Sequence, residues 1–350
     1  MTTFGRGVSV ESRRGNIEIV ATVGPASADP RTLAALRAAG ADAFRLNLAH
    51  ASPEWLARTV DAIRRSSPEA AEAQLIADLP GRKPRTGALE RPLTVRPGDA
   101  VWLGAVAAAP AGVVAVPFDL DAVDPAPATG DTVRLRDGQV RLVVGEVERD
   151  GLRADCLDAG ELTSRMGVTW GDGEARLRAA VWTGALAACW ELGVRRYLVS
   201  YCDGPADLAA VAARLPAPAQ LIPKIETEAA VDAAAALIAA AACGCIARGD
   251  LGTQVPPARL PGIERRLLEA ARAAGKGMFL AGGLLPSGAA GQAVTRAERA
   301  ALHYALMHGA TGFILSEETA VGPAPVAAVA ELRAIVEAWE EEGIGESVSR

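Results

Sequence analysis

The chain has 350 residues, enough for roughly two domains at about 150 residues each, and a small disulfide-stapled scaffold is excluded. Half of it is hydrophobic and 22% is charged, which excludes an intrinsically disordered chain. Its 36 basic and 42 acidic residues leave a net charge of −6, the wrong sign for a nucleic-acid-binding face.

The first 16 residues, MTTFGRGVSVESRRGN, are polar and Gly-rich and lack the apolar stretch of a secretory signal. Short apolar, often β-branched runs then alternate with Ala/Leu-rich stretches of helical spacing. The candidate strands are Ile17–Thr22, Ala43–Leu48, Gln74–Leu79, Arg196–Ser200, Leu221–Glu226, Cys245–Asp250, Gly277–Gly282 and Gly312–Ser316. Strands that read as continuous apolar runs are covered on both faces, so eight strand-then-helix units predict an α/β protein built on a closed (β/α)8 TIM barrel. A doubly wound open sheet is the competing fold.

The third unit breaks this rhythm. From Ala88 to Gly167 the helical period disappears and short Val-rich runs are punctuated by turns, with RDG as a hairpin signal and DAVDPAPATG as a loop. This predicts a small all-β domain over 88–167 inserted after strand three, with the barrel formed by 1–87 and 168–350. Barrel active sites lie at the strands' C-terminal ends, so the insertion is expected to act as a lid. The Ala-rich uncharged run from Ala233 to Ala247 is shorter than the ~18 to 20 residues that span a bilayer. It predicts a buried helix followed by a strand, and no membrane association. The five cysteines (Cys156, Cys189, Cys202, Cys243 and Cys245) match no metal-binding or CxxC spacing and predict reduced, buried thiols in a cytoplasmic protein.

Polar residues interrupt the apolar strands at their C-terminal ends: Arg45 and Asn47 in strand two, Asp78 in strand three, Lys224 and Glu226 in strand five, Arg248 and Asp250 in strand six. Buried charges are costly unless paired or metal-bound, so several converging on one mouth require a reason; salt bridges closing the rim are the plainer one. Glu226 and Asp250 form a pair of hard oxygen ligands suited to Mg²⁺. Lys224 lies two residues before Glu226 and shares its face, because strand side chains alternate. It is placed to stabilise charge on a phosphoryl group or an enolate.

The segments RLNLAHAS, DLPGRKPRTG, GELTSRMGVT, PKIET, ARGDLG, TRAE and LSEETA occur in the order, and at roughly the spacing, of the signature segments of pyruvate kinase, and IEIVATVGPAS is similar to that family's opening strand. The resemblance covers about residues 17 to 330. It implies phosphoryl transfer between phosphoenolpyruvate and ADP with Mg²⁺ or Mn²⁺ as cofactor. By the same resemblance Arg45 and Asn47 would contact nucleotide and transferred phosphoryl, His50 the nucleotide, and Arg85 the phosphates. Lys224 would be the central catalytic group, Glu226 and Asp250 the metal ligands, and the amides around Ala247, Gly249 and Asp250 the receptors of the substrate carboxylate.

The chain also departs from the family pattern. Ala49 and Leu79 stand where the family places hydroxyl ligands of K⁺, and Lys83 stands where K⁺-dependent members carry a glutamate. With Asp78 in the same pocket, Lys83 would substitute for the cation, so K⁺ is expected to be unnecessary. Met166 replaces the lid's phosphate-binding lysine, with Arg165 beside it as a substitute. Gly282 replaces a threonine beside the substrate's methylene carbon, leaving room for a larger 2-oxo acid. The sequence stops near where the family's regulatory domain begins, so sugar-phosphate allostery is not expected. A homo-oligomer stays open. Two alternatives remain: a metal-dependent 2-oxo acid aldolase, since PKIETEAAVDAA is also similar to a segment of the HpcH/HpaI aldolase group, and a non-catalytic phosphometabolite-binding regulator.

Overall fold

The computed structural model describes residues 17–49, 51–66, 74–79, 84–124, 126–136, 138–170, 176–177 and 183–342. His50 and Lys83 lie outside the described residues. The chain divides into two compact units, Met1–Pro80 with Thr183–Arg350, and Gly81–Trp182.

The larger unit is a closed barrel of eight parallel strands in chain order: Glu18–Val23, Ala43–Asn47, Gln74–Leu79, Arg196–Val199, Gln220–Ile225, Cys243–Ala247, Gly277–Ala281 and Gly312–Leu315. Glu18 pairs with Gly312 to close the ring, and strands three and four pair directly, Asp78 opposite Leu198. Helices follow the strands, and local chemistry sets their starts. Asp29 accepts from the amides of Arg31 and Thr32 at 3.0 Å ahead of the Pro30–Ala38 helix, and Ser52 accepts from Trp55 N at 3.2 Å ahead of Pro53–Arg65. In both helices proline occupies the first helical position, where its missing N–H costs nothing. Thr295 and Glu298 form a reciprocal capping box on the Arg296–His308 helix.

Alternation along the strands sorts side chains into the ring's interior. Val20, Ala43, Ile76, Leu198, Ile222, Cys243, Cys245, Phe279, Ala281 and Ile314 pack there as one buried cluster, as in a filled barrel core. One boundary differs from the sequence expectation. Strand six runs Cys243–Ala247 and stops, and Arg248–Gln254 is a short helix, so Arg248 and Asp250 sit in a helical first turn and not on a strand.

Among the described residues the smaller unit is all-β apart from one short helical turn at Val106–Ala108. Its six-stranded sheet has the order Val168–Thr169, Thr132–Leu135, Val140–Glu148, Gly151–Cys156, Ala100–Gly104, Val114–Pro117. The strands on either side of the expected RDG turn pair antiparallel, with Leu135 opposite Val140. Residues before 88 are sewn into this unit: Thr86 N donates to Met166 O at 2.9 Å, and Arg85 bridges Gly167. Trp102, fully buried, fills the sheet where Gly151 leaves it space; a Cβ at residue 151 would stand 2.3 Å from its ring.

Candidate active site

The strand period that builds the barrel core also builds the site. Two residues beyond Val20, Ala43, Ile76, Leu198 and Ile222 along their strands come Thr22, Arg45, Asp78, Ser200 and Lys224. Above the apolar layer the same faces therefore turn polar, and the five side chains converge. Asp78, 3% exposed, is the hub. Its Oδ2 accepts from Arg45 Nε at 2.7 Å and lies 2.5 Å from the second guanidinium nitrogen. Its Oδ1 accepts from Ser200 Oγ at 3.1 Å and lies 3.6 Å from Lys224 Nζ. Lys224 Nζ donates to Ser200 Oγ at 2.9 Å, and Arg45 donates to Thr22 Oγ1 at 2.9 Å.

This network decides the ionisation of its members. Burial alone would raise the Asp78 carboxyl, but the Lys224 and Arg45 charges and their hydrogen bonds hold it below its ordinary value. Burial opposes the Lys224 charge as well, yet Asp78 and Glu226 more than compensate and raise its pKa. Asp78 thus serves as a counter-charge shared by two cations.

Glu226 follows strand five and is fully buried. Its Oε1 accepts from Tyr201 N at 2.7 Å; its Oε2 has no hydrogen bond and stands 3.1 Å from Lys224 Nζ. Burial pushes its pKa up to about 7, with Lys224 opposing and the Asp250 charge adding to the rise. Asp250 accepts from the Tyr201 hydroxyl at 3.3 Å. Two mutually repelling carboxylates, one with a buried oxygen lacking a hydrogen bond, are a donor set that a hard divalent cation suits. Among the described residues no group of three or more His, Cys, Asp or Glu gathers at metal-binding distance, so a cation here would draw its remaining oxygens from substrate and water.

Arg45, Asp78, Lys224, Ala247, Gly249, Asp250 and Gly282 line one cavity of about 370 Å³ at this end of the barrel. The sequence reading had singled out all seven. Asn47 does not line the cavity; its Oδ1 accepts from Ala49 N at 3.1 Å. Gly282 is required by the backbone itself: its φ is +88°, and a Cβ there would meet Gly249 N at 3.1 Å. Arg248 fixes this wall, donating to the carbonyls of Gly282 at 3.0 Å and Gly283 at 2.5 Å. Glu318, buried, accepts from the amides of Leu284 and Leu285 at 3.0 Å.

In the smaller unit, Met166 is packed into the hydrophobic core at 5% exposure, which accounts for an apolar residue there. Arg165 beside it is exposed, with φ +58°, and its carbonyl accepts from Arg85 at 3.1 Å, so two arginines come together on that unit's surface. Sequence reasoning missed Thr22, Ser200 and Tyr201, whose signal was their place: Thr22 and Ser200 stand at or just past strand ends in phase with the charged residues, and Tyr201 follows Ser200.

The model of the pyruvate kinase barrel domain matches residues 14–329. A pyruvate kinase of Agrobacterium vitis is 31% identical over 328 residues, covering 93% of this chain and 69% of its own length. One from Methylorubrum extorquens is 30% identical over 339 residues (95% and 70%), and one from Aeropyrum pernix 32% over 323 residues (90% and 69%). Likeness of this extent, running through both units, means that the chain belongs to the pyruvate kinase family.

Proposed function

We propose that the chain is a pyruvate kinase-like phosphotransferase, moving a phosphoryl group between phosphoenolpyruvate, or a related enol phosphate, and ADP with Mg²⁺ or Mn²⁺ and without K⁺. The observation that carries this reading is the pair of largely covered cations, Lys224 and Arg45, held by one buried carboxylate at the wall of the cavity. Phosphoryl transfer depends mostly on positioning and charge neutralisation, and groups already fixed in place lose no reorganisation energy at the moment of reaction.

The bound divalent ion would withdraw charge from the transferring phosphoryl group and the enolate oxygen. Glu226 and Asp250 hold it. Lys224 faces the same charge with its ammonium, and Asp78 and Ser200 keep that ammonium aimed. Arg45 binds the phosphoryl oxygens. The amides from Ala247 to Asp250 receive the substrate carboxylate. By the family resemblance Asn47 and His50 contact the nucleotide and Arg85 the phosphates, with Arg165 in place of the lysine that Met166 replaces. Ala49 and Leu79 bring no side-chain oxygen to a monovalent ion, and Lys83 supplies the fixed charge instead. The aldolase reading keeps the carboxylates but gives two fixed cations nothing to do.

A lactate dehydrogenase-coupled assay of phosphoenolpyruvate, ADP and Mg²⁺ tests this. Pyruvate formation is expected, Lys224→Met should lower it by at least about a hundredfold, and added K⁺ should change it less than about twofold. Wild-type turnover no higher than that of Lys224→Met refutes the kinase; a tenfold rise with K⁺ refutes the cation substitution.

A further inference from the structure

Tyr201 stands directly after strand four and touches both proposed metal ligands through different atoms. Its backbone N–H donates to Glu226 Oε1 at 2.7 Å, and its phenolic O–H donates to Asp250 Oδ1 at 3.3 Å. The two carboxylates come from different segments, one just past strand five and the other in the first turn after strand six. The backbone reaches this position in a left-handed conformation, φ +51°, which is uncommon for a residue with a side chain and for an aromatic one in particular. Strain of this kind persists where surrounding contacts enforce it, and it clusters at working sites. Here it is the left-handed turn that lets one residue present its amide to one acid and its ring hydroxyl to the other.

We infer that Tyr201 is a positioning residue for the divalent cation: it sets the spacing and orientation of Glu226 and Asp250 so that both can share one ion. The inference rests on the assignment of these two carboxylates as the metal ligands. The hydroxyl bond is the longer of the two, beyond the usual O–H···O span of about 2.5–3.0 Å, and so a weak one. It therefore leaves Asp250 free to shift toward a cation while its direction stays fixed. Partners of this sort, outside the ligand shell, typically contribute 10–100-fold to metal affinity.

Tyr201→Phe removes the hydroxyl alone and keeps the ring and the amide. Mn²⁺ titration of the purified protein, followed by electron paramagnetic resonance, reads affinity without turnover. The dissociation constant is expected to rise about tenfold, with the metal-free melting temperature within about 2 °C of wild type. The same change made in an Asp250→Ala background should have little further effect, because its acceptor is already gone. A dissociation constant within twofold of wild type overturns the inference whatever the melting temperature. An undiminished effect in the Asp250→Ala background also overturns it, since the hydroxyl would then act elsewhere. Wild-type protein that fails to bind Mn²⁺ overturns the metal assignment itself, which is a separate result from a normal wild type with an unaffected variant.

Discussion

Asp78→Asn keeps the volume of the side chain and takes away the one charge that Arg45 and Lys224 share. Removing one partner of a buried ion pair leaves an uncompensated charge and costs about 3–5 kcal/mol. The lower end applies here, because Lys224 keeps Glu226 Oε2 at 3.1 Å and Ser200 at 2.9 Å, and Arg45 keeps Thr22 at 2.9 Å. A loss of about 3 kcal/mol in a unit of this size lowers Tm by about 6–12 °C. The pH dependence has a definite sign. The folded-state pKa of Asp78 is depressed, so its contribution is present above its unfolded value, near 3.8, and fades as pH falls through the folded one. Thermal unfolding followed by circular dichroism should therefore show the full gap between wild type and Asp78→Asn at pH 7, and a smaller gap below about pH 4. A variant that melts within 2 °C of wild type at pH 7, or a gap that does not narrow in acid, refutes the idea that Asp78 is the shared counter-charge.

Two further outcomes follow from the same coordinates. Gly282→Ala should be more destabilising than Gly283→Ala: residue 282 has φ +88° and a crowded Cβ position, while 283 has φ +56° and open space, so the second change should cost only about 1 kcal/mol; equal losses in urea unfolding would contradict this. All five cysteines are buried, and burial raises the thiols of Cys156, Cys189, Cys243 and Cys245, those of Cys189 and Cys243 to about 12. Native protein should give no fast reaction with Ellman's reagent at pH 8, and five thiols after denaturation; a fast native thiol would contradict the packing.

Much of the barrel was legible in the sequence because covered strands leave an unmistakable mark, runs such as IEIVAT, QLIADL and GFILS between Ala/Leu-rich helices. Strand six starts two residues earlier and ends three residues earlier than the sequence suggests. Ala-Ala-Ala-Cys-Gly-Cys-Ile-Ala carries no periodicity to mark an edge, and its end is set by tertiary bonds, Arg248 turning to the carbonyls of Gly282 and Gly283. The charged members of the site were legible for the converse reason: an arginine, aspartate or lysine inside an apolar run is conspicuous. Thr22, Ser200 and Tyr201 were not, since hydroxyl residues at strand ends are ordinary turn formers and only the folded chain shows what they hold. Gly282 was read as room for substrate; its positive φ gives it a backbone reason that a sequence does not display.

Direct pairing of Asp78 with Leu198 and of Glu18 with Gly312 has a consequence for biosynthesis. During translation the first three barrel strands emerge with their edges open, and the whole of Gly81–Trp182 must be made before strand four arrives to cover one of them. The other edge waits until Gly312–Leu315 has left the ribosome. Contacts so distant along the polypeptide make ring closure slow, and the exposed edges are hazards in the meantime. The interrupting segment, with a core of its own, is free to fold while the ring is still incomplete.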